Sequence, residues 1–238
     1  MEKKGKLYLI PTLLGETSPE RVVPEEVLAI TRNLKRFIVE NEKTARRYLK
    51  KASTNIPMNE LMLYHLDKHT KREELPELIS PLLQGENMGL LSEAGLAGIA
   101  DPGAAVVSLC HEQNIAVEPL TGASSIILAL IGSGMNGQQF TFHGYLPIDS
   151  GQRKKAIKQM ERDAKETGYT QIFMETPFRN EKLFDDILKV CHPDTSLGVA
   201  REITTDEELV KTRPVQIWKK QKPPLHKRPS IFLIGRKQ

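Results

Sequence analysis

The residues best suited to bind a ligand lie in loops that directly follow short apolar runs. One loop is PTLLG (residues 11–15), and a second is SEAGLAGIADPG (residues 92–103), which consists mostly of small residues. Small side chains expose backbone N–H and C=O groups, which suit the amino-acid part of a ligand. Because open α/β sheets bind their ligands at the carboxyl ends of the strands, we predict a small-molecule site at these loops.

The long second loop carries two acids with different expected roles. Asp101 precedes Pro102, and an acid followed by proline is typical of a helix start, so we expect Asp101 to cap the next helix. Glu93 has no such position and is the better candidate for contact with a ligand. In a third loop, LTGASS (residues 120–125), a serine or threonine is expected to cap a helix, although such small residues also suit the edge of an adenosine.

Two later strand ends, ETPFR (residues 175–179) and ARE (residues 200–202), each join an acid to an arginine. A structural salt bridge is the simplest interpretation of each pair. Contact with a substrate, or handling of a proton, is the alternative. No residue is assigned as a general base. With the acid that follows the second predicted strand, the candidate substrate contacts are Glu40, Glu175, Arg179, Arg201 and Glu202.

Basic residues form four groups along a chain whose net charge is +4. Together they are suited to neutralise RNA phosphates, although a solvated surface is the ordinary explanation for each group alone. Aromatic residues are not interleaved with them, so the sequence does not predict stacking of single-stranded bases. The groups are Arg46, Arg47, Lys50 and Lys51; Lys68, Lys71 and Arg72; Arg153, Lys154, Lys155 and Lys158; and residues 219–228.

The composition, with 39% hydrophobic and 27% charged residues, is that of an ordinary globular protein. Cys110 and Cys191 lie in no CxxC pair, and no Cys/His cluster has zinc spacing, so we expect buried free thiols and no metal. No run reaches the roughly 18 apolar residues that a membrane span needs. The apolar run at residues 7–10 is too short for a signal peptide, which leads us to expect a cytoplasmic protein.

A regular array of strands and helices must position these loops. Through the first half, short apolar runs alternate with amphipathic segments, which is typical of a parallel sheet covered by helices on both faces. The second half ends in consecutive strands with short connections, which favours antiparallel pairing. We therefore predict two α/β domains, an N-terminal one with a mostly parallel sheet (residues 1–119) and a C-terminal one with a mixed sheet (residues 120–238).

Two local patterns give specific predictions. Thr70 and Glu73 have the spacing of a capping box, which predicts a helix from there to Gly85. The apolar residues of 215–218 predict a strand in the C-terminal domain. The remaining strands are expected at residues 7–10, 36–39, 61–64, 88–91, 115–118, 140–143, 171–175, 197–201 and 230–235.

Taken together, these segments resemble the tetrapyrrole methylase superfamily, and within it the branch of ribosomal small-subunit RNA ribose 2′-O-methyltransferases I. The resemblance covers nearly the whole chain, in the order and spacing of the family. The stretches that carry it are LYLIPTLLGE (residues 7–16), SEAGLAGIADPG (92–103), LTGASS (120–125), FHGYLP (142–147), ETPFR (175–179) and AREIT (200–204).

The resemblance implies a tetrapyrrole-methylase-like fold, a homodimer, and S-adenosylmethionine bound in a cleft between the two domains. It also suggests RNA of the small ribosomal subunit as a partner. The cofactor contacts that it implies are Pro11, Leu14, Glu93, Ala94, Gly95, Leu96, Ser124, Ser125, Met174, Ala200, Ser230 and Ile231.

The sequence departs from the family's pattern at places that bear on function. The family's Ser-Asp-Ala-Gly has Glu93 in place of its aspartate, so the acid is kept with one more methylene. The family's Glu-Asp-Thr-Arg after the second strand is ENEK here (residues 40–43), in a region that faces the substrate. We also expect the C-terminal extension of the ribosomal branch to be absent. The methyl-donor site therefore transfers to this chain better than the substrate does.

We therefore predict an S-adenosylmethionine-dependent methyltransferase that acts on ribosomal RNA ribose. Methyl transfer from a sulfonium is an in-line displacement, in which the enzyme mainly holds the donor carbon and the acceptor oxygen in near-attack geometry. One alternative is a tetrapyrrole or other small acidic metabolite as acceptor, whose carboxylates the arginines would pair with. Another is a non-catalytic module that binds S-adenosylmethionine or RNA. A dinucleotide oxidoreductase is disfavoured because the glycine fingerprint is absent.

Overall fold

The computed structural model describes residues 3–236 and divides into two compact units, one ending at Ser124 and the other beginning at Ser125. Each unit is built around its own five-stranded sheet.

The first unit alternates strands and helices along the chain. Its elements are β1 (Lys6–Ile10), α1 (Glu25–Asn33), β2 (Arg36–Val39), α2 (Glu42–Lys51), β3 (Met62–His65), α3 (Leu75–Leu78), α4 (Ser80–Leu83), β4 (Met88–Leu91), α5 (Gly103–Glu112) and β5 (Ala116–Pro119), with short 3-10 helices at Pro19–Arg21 and Arg72–Glu74.

The first sheet has the strand order β3-β2-β4-β1-β5, and every neighbouring pair is parallel. Successive side chains of a strand point to opposite faces, and both faces are apolar here. In β2, Ile38 belongs to one buried cluster with Val106 of α5, whereas Phe37 belongs to another with Leu49 of α2. The prediction of a parallel sheet covered by helices on both faces is therefore confirmed.

The predicted helix between Thr70 and Gly85 is wrong as a single element. Pro76 and Pro81 each begin a new short helix, because proline has no N–H for an upstream carbonyl and clashes with the preceding turn. Thr70 does not cap a helix; its hydroxyl accepts a hydrogen bond from the Asp67 amide at 2.9 Å. The capping interaction lies one residue later than predicted, where the Glu74 carboxylate accepts from the backbone N–H of residue 71 at 2.7 Å.

The second unit begins with a helix and ends with its central strand. Its elements are α6 (Ser125–Ser133), β6 (Phe140–Tyr145), α7 (Ser150–Thr167), β7 (Thr170–Met174), α8 (Asn180–Val190), β8 (Ser196–Arg201), β9 (Leu209–Pro214), α9 (Val215–Lys220) and β10 (Ser230–Gly235).

The second sheet has the strand order β6-β7-β10-β8-β9. The β6–β7 pair is parallel, and the pairs of β10 with β7, of β10 with β8 and of β8 with β9 are antiparallel. All six residues of β10 are buried, as expected for the centre of a covered sheet. The predicted mixed sheet is confirmed.

The strand predicted at residues 215–218 is wrong, because this segment is the helix α9 and the strand is the preceding segment, β9. Pro214 occupies the N-cap of the helix and favours its start. Val215 and Trp218 are buried at a spacing of three residues, which is helical and not alternating. The Trp218 indole N–H donates to the Leu197 carbonyl at 2.8 Å, so the helix is fixed against β8.

Both thiols are free and buried, as predicted. Burial raises the pKa of the Cys110 thiol to about 11, which keeps it protonated and unreactive. In the part of the chain that the structure describes, no helix combines the length and the apolar character that crossing a membrane requires.

Candidate functional site

Two of the predicted small-residue loops meet at the carboxyl ends of the neighbouring strands β1 and β4. The Thr12 amide donates to the Gly95 carbonyl at 2.9 Å, which forms an isolated antiparallel bridge between the loops. The Thr12 hydroxyl donates to the Ser92 carbonyl at 3.2 Å. The buried Tyr48 hydroxyl donates to the Pro11 carbonyl at 2.9 Å. The first loop is thus held from two sides.

The loop after β5 joins them, and glycine is required where the three segments touch. A Cβ on Gly122 would lie 2.2 Å from Cβ of Pro11, far inside any real contact. Gly95 has φ +76°, and a Cβ there would lie 3.0 Å from Cδ2 of Leu14 and 3.4 Å from the Ala123 carbonyl. The three segments therefore form one continuous backbone surface. We call residues 11–14, 92–96 and 120–124 the cradle.

The acid at the end of the long loop has a structural role, as predicted. The Asp101 carboxylate accepts from the Gly103 amide, at the start of α5, at 2.8 Å. It also accepts from the Gly98 amide at 2.9 Å. One carboxylate therefore closes the part of the loop between Gly98 and Gly103 onto the helix that follows it.

A cavity, which we call the acidic pocket, lies at the carboxyl ends of β2, β3 and β4. It has a volume of about 720 Å³. Four carboxylates face one lysine and one histidine around it, so its potential is negative. Its lining residues are Glu40, Asn41, Asp67, Lys68, His69, Glu93, Ala100, Asp101 and Pro102.

Glu40 is the half-buried acid of this pocket. Burial raises the pKa of the Glu40 carboxyl above its ordinary value, because the charged form is desolvated. Repulsion from the neighbouring acids Asp101, Glu93 and Asp67 raises this pKa further. Backbone hydrogen bonds, first that of the His69 amide, lower the pKa of Asp67, so this acid stays ionised. Glu40 therefore holds its proton more tightly than Asp67 does.

Glu93 connects the pocket to the cradle. It belongs to the cradle loop, yet its carboxylate accepts from the Thr44 hydroxyl of α2 at 2.5 Å. The start of α2 is itself fixed, because the Asn41 side chain caps it by accepting from the Lys43 amide at 2.9 Å and the Thr44 amide at 3.3 Å. The segment ENEK therefore keeps a capping residue where it departs from the family's pattern.

Several cofactor contacts predicted in the second unit come together at one end of the three inner strands of its sheet. Ile231 of β10 lies between Met174 of β7 and Ala200 of β8, as the strand registers show. Ser230 pairs with Arg201 at the adjoining position. Ser125 begins α6, and Ser124 is the last residue of the first unit. Their role in binding a cofactor stays a prediction.

The acid–arginine residues of the second unit form structural contacts. Arg179 donates to the buried Glu175 carboxylate at 2.6 Å, which confirms the salt bridge within ETPFR. Arg201 instead donates to backbone carbonyls, those of Pro224 at 3.1 Å and Glu207 at 2.9 Å. Its Nε lies 4.0 Å from the Glu202 carboxylate, and Glu202 pairs with Arg228. A substrate role for these residues stays a prediction.

One member of the predicted basic groups does not reach the surface. Arg153 is 2% exposed and donates to the buried Asp186 carboxylate at 2.6 Å and 2.9 Å. Its remaining nitrogen donates to the carbonyl of Ile148 at 2.7 Å, so it ties α7 to α8 and to the loop before α7. Lys154 also approaches Asp186, at 3.6 Å. On α7, Lys155 and Lys158 remain from this group.

Sequence reasoning missed Asp67, Thr44 and His69 as parts of a functional site, whereas Lys68 was predicted as a member of a basic group. Asp67 lies two residues after the end of β3, and the parallel pairing of β3 with β2 brings it beside Glu40. The usable signal was a polar residue just after a predicted strand, but its neighbour depends on the strand order. Within residues 3–236, no group of His, Cys, Asp and Glu side chains is placed to hold a metal ion.

Comparison with known proteins identifies the family. A family model described as Tetrapyrrole (Corrin/Porphyrin) Methylases matches residues 14–216. The chain is 29% identical over 212 residues to "Ribosomal RNA small subunit methyltransferase I" of Escherichia coli O157:H7, covering 89% of this chain and 70% of that protein. It is 30% identical over 211 residues to the protein of the same name from Halalkalibacterium halodurans, covering 88% of this chain and 68% of that one.

Solved structures share the fold at lower identity. The methyltransferase CobJ superposes with a TM-score of 0.62 at 14% identity, covering 98% of this chain and 94% of its own. Uroporphyrin-III C-methyltransferase from Thermus thermophilus, complexed with S-adenyl homocysteine, superposes with a TM-score of 0.59 at 15% identity and covers 98% of both chains. The chain therefore belongs to the tetrapyrrole (corrin/porphyrin) methylase family and is a methyltransferase.

Proposed function

We propose that the chain transfers a methyl group from S-adenosylmethionine to a ribose hydroxyl of small-subunit ribosomal RNA. The observation that carries the proposal is the pairing of the cradle with the acidic pocket, which share the loop after β4. The curated relatives are named for small-subunit ribosomal RNA. One structural neighbour was solved with S-adenyl homocysteine, the product of the methyl donor.

The cradle fits the methyl donor because it is a backbone surface at which a side chain would clash. The absence of a Cβ at Gly95 and Gly122 brings three segments close together, and ligands with an amino-acid end are gripped by such main-chain groups. When bound, S-adenosylmethionine supplies a methyl carbon on a positively charged sulfur, which departs as a neutral thioether. The residues that would hold it in the first unit are Pro11, Leu14, Glu93, Ala94, Gly95, Leu96 and Ser124.

The acidic pocket suits the hydroxyl that receives the methyl group. A carboxylate accepts a hydrogen bond from a hydroxyl, and this bond orients the oxygen lone pair toward the methyl carbon. As the new O–C bond forms, the hydroxyl proton has to leave, and the carboxylate of Glu40 is placed to take it. Its raised pKa makes it a stronger proton acceptor than an ordinary glutamate. Glu40 is the residue we assign to this step.

Cations beside the pocket offset its negative charge for a polyanionic substrate. Lys68 and His69 line the pocket. Arg47 and Lys50 are exposed on α2, the helix whose Thr44 contacts Glu93, and neither forms an ion pair within the described residues, although Arg47 attracts the Glu16 carboxylate. RNA phosphates would contact these cations, while hydroxyl donors would enter the pocket.

A tetrapyrrole or other small polycarboxylate is the second candidate acceptor, favoured by the family's name and by structural neighbours such as CobJ. The pocket weighs against it. Four carboxylates around one hollow would repel an acceptor that carries several carboxylates of its own. Ribose hydroxyls and nucleobase amino groups are hydrogen-bond donors and meet no such repulsion.

The proposal is tested by labelled methyl transfer. The protein is incubated with methyl-labelled S-adenosylmethionine and, side by side, with small ribosomal subunits, total RNA and a small-molecule extract. We expect label in ribosomal RNA that survives digestion to 2′-O-methyl nucleosides. Label in the small-molecule fraction alone would support the polycarboxylate acceptor. Tight donor binding in calorimetry without transfer to any acceptor would support a non-catalytic module.

A homodimer in the cytoplasm completes the proposal. The structure supports association by exposed isoleucines, Ile131 at 70% and Ile148 at 73%, whose burial would stabilise a dimer. The measurement is light scattering after size exclusion, in which we expect twice the 26.8 kDa of one chain. A mass of one chain at micromolar concentration would contradict it.

A further inference from the structure

Phe178 stands out on the surface of the second unit. Its side chain is 71% exposed, directly before the start of α8. The turn that carries it is rigid, because the buried Glu175 carboxylate accepts from the Thr176 amide at 2.7 Å and from Arg179 at 2.6 Å. The Arg179 amide donates back to the Thr176 carbonyl at 2.9 Å. These contacts on either side of Phe178 fix the backbone of the turn that presents the ring to solvent.

A basic segment reaches this ring from a distant part of the sequence. After α9, the chain runs along α8 toward its first residue: Lys222 pairs with Asp185 at 2.6 Å, and His226 lies 3.8 Å from Glu181. The Lys227 amide then donates to the Pro177 carbonyl at 3.0 Å. Lys227 has a left-handed backbone with φ 57°, an unusual conformation for a lysine that this contact stabilises.

This arrangement holds the Lys227 ammonium 5.7 Å from the centre of the Phe178 ring. Two other cations of the segment form ion pairs. Lys222 pairs with Asp185, and Arg228 pairs with Glu202 and Glu207. Lys227 has no ion pair among the described residues, and neither do the exposed Lys219 and Lys220 at the end of α9. The segment of residues 219–228 contains no acid.

We propose that Phe178 and Lys227 form a stacking platform for one unpaired base of single-stranded RNA, with the Lys227 ammonium at the adjoining phosphate. A base stacks on an exposed aromatic face, and a nearby lysine neutralises the backbone charge. Because the segment is positively charged and contains no acid, it favours RNA over an uncharged apolar partner. The proposal rests on the RNA substrate proposed above and deepens it.

The position of the platform agrees with that function. Phe178 follows β7, and Lys227 precedes β10, so both lie at the edge of the second sheet where Met174, Ala200 and Ser230 meet. A base held there would lie beside the residues that the family resemblance assigns to the cofactor. The sequence did not predict stacking, because Phe178 and Lys227 are far apart along the chain and only the fold brings them together.

The test measures the affinity of the full chain for a short fluorescein-labelled single-stranded RNA of mixed sequence, by anisotropy without S-adenosylmethionine. We expect Phe178→Ala to weaken binding about tenfold, since stacking on one aromatic side chain typically contributes this much. Phe178→Trp should bind as tightly as the wild type. Phe178→Leu, which keeps apolar bulk without a ring face, should bind as weakly as Phe178→Ala.

Salt dependence separates the two members of the platform. Phe178→Ala should leave the slope of log Kd against log salt unchanged, because no phosphate contact is lost. Lys227→Ala should reduce the slope by about 0.7, the value for one contact to a single strand. Phe140→Ala, which removes an exposed aromatic at the opposite edge of the same sheet, is the matched control and should leave affinity and slope unchanged.

Equal RNA affinity of the wild type and Phe178→Ala would overturn the platform. Wild-type affinity of Phe178→Leu would overturn it as well, because apolar bulk and not an aromatic face would then hold the RNA. Labelled methyl transfer is measured separately. Transfer to RNA without a Phe178 effect on binding would sink the platform alone. A Phe178 effect on binding without any transfer to RNA would support the platform and contradict the proposed function.

Discussion

The cradle and the acidic pocket both lie at the carboxyl ends of the strands of the first sheet, but they offer different chemical groups to a ligand. The cradle, on the β1 and β5 side, consists of main-chain groups brought together by Gly95 and Gly122. The acidic pocket, on the β2 and β3 side, is lined by charged side chains around Glu40. Added volume should therefore disrupt the cradle, whereas a change of charge should disrupt the pocket. The loop after β4 borders both.

Added volume in the cradle should give the largest effect. Gly122→Ala places a Cβ 2.2 Å from Pro11, so the loop after β5 must move away from the loop after β1. Overpacking of this kind costs about 1–3 kcal/mol, which corresponds to a loss of affinity for S-adenosylmethionine of about 5-fold to 150-fold in equilibrium dialysis. Gly137→Ala is the matched control, since nothing lies within 4 Å of its added Cβ. Unchanged affinity of Gly122→Ala would show that the cradle does not hold the donor.

Loss of charge in the pocket should leave the cradle intact. Glu40→Gln removes the proton acceptor but keeps the shape of the side chain, so we expect kcat for methyl transfer to fall by about a hundredfold. Glu42→Gln, two residues away and outside the pocket lining, should retain the wild-type rate. A wild-type kcat for Glu40→Gln would remove Glu40 from the reaction.

The pH dependence of kcat sharpens the assignment. Glu40 acts as the carboxylate, and its pKa is raised, so activity should fall as the pH drops, with a midpoint above the ordinary glutamate range. Glu93→Gln removes one repelling charge and should move this midpoint to lower pH, whereas Glu42→Gln should not move it. A midpoint that Glu93→Gln leaves in place would show that another group titrates.

The smallest effect is expected at the contact between Thr44 and Glu93, which connects the cradle to the acidic pocket. Thr44→Val deletes the hydroxyl that donates to Glu93 and that also lies 3.0 Å from the Asn41 carbonyl, while the Thr44 amide that the Asn41 side chain caps is kept. One hydrogen bond to a charged group contributes about 1.5–3 kcal/mol when buried and less here, because Glu93 is exposed. We expect KM to rise several-fold for the acceptor. Thr44→Ser keeps the hydroxyl and should restore the wild-type KM; failure to do so would assign the effect to packing.

Local patterns predicted most of the elements but not their neighbours. The bounds of β2, β4 and β10 agree with the sequence prediction to the residue, because short apolar runs act locally. Pro76 and Pro81 were underestimated as breaks between helices. Pro214 marks the start of the helix α9, whereas the apolar residues at 215–218 had predicted a strand.

The candidate site was predictable in part for the same reason. The cradle loops and the capping role of Asp101 followed from residue types alone. Asp67 and Thr44 were not predicted, because their proximity to Glu40 and Glu93 depends on strand order and on the path of α2. The approach of Lys227 to Phe178 likewise needs the three-dimensional course of the chain.

The central claim is that the cradle binds the methyl donor and the acidic pocket does not. Calorimetric titration of the wild type, Glu40→Gln and Gly95→Ala with S-adenosylhomocysteine tests it most directly. The wild type and Glu40→Gln should bind with the same Kd, since the pocket does not hold the donor. Gly95→Ala should bind about 5-fold to 30-fold more weakly, because a Cβ at φ +76° costs about 1–2 kcal/mol and contacts Leu14. Equal binding by Gly95→Ala, or binding lost only in Glu40→Gln, would contradict the account.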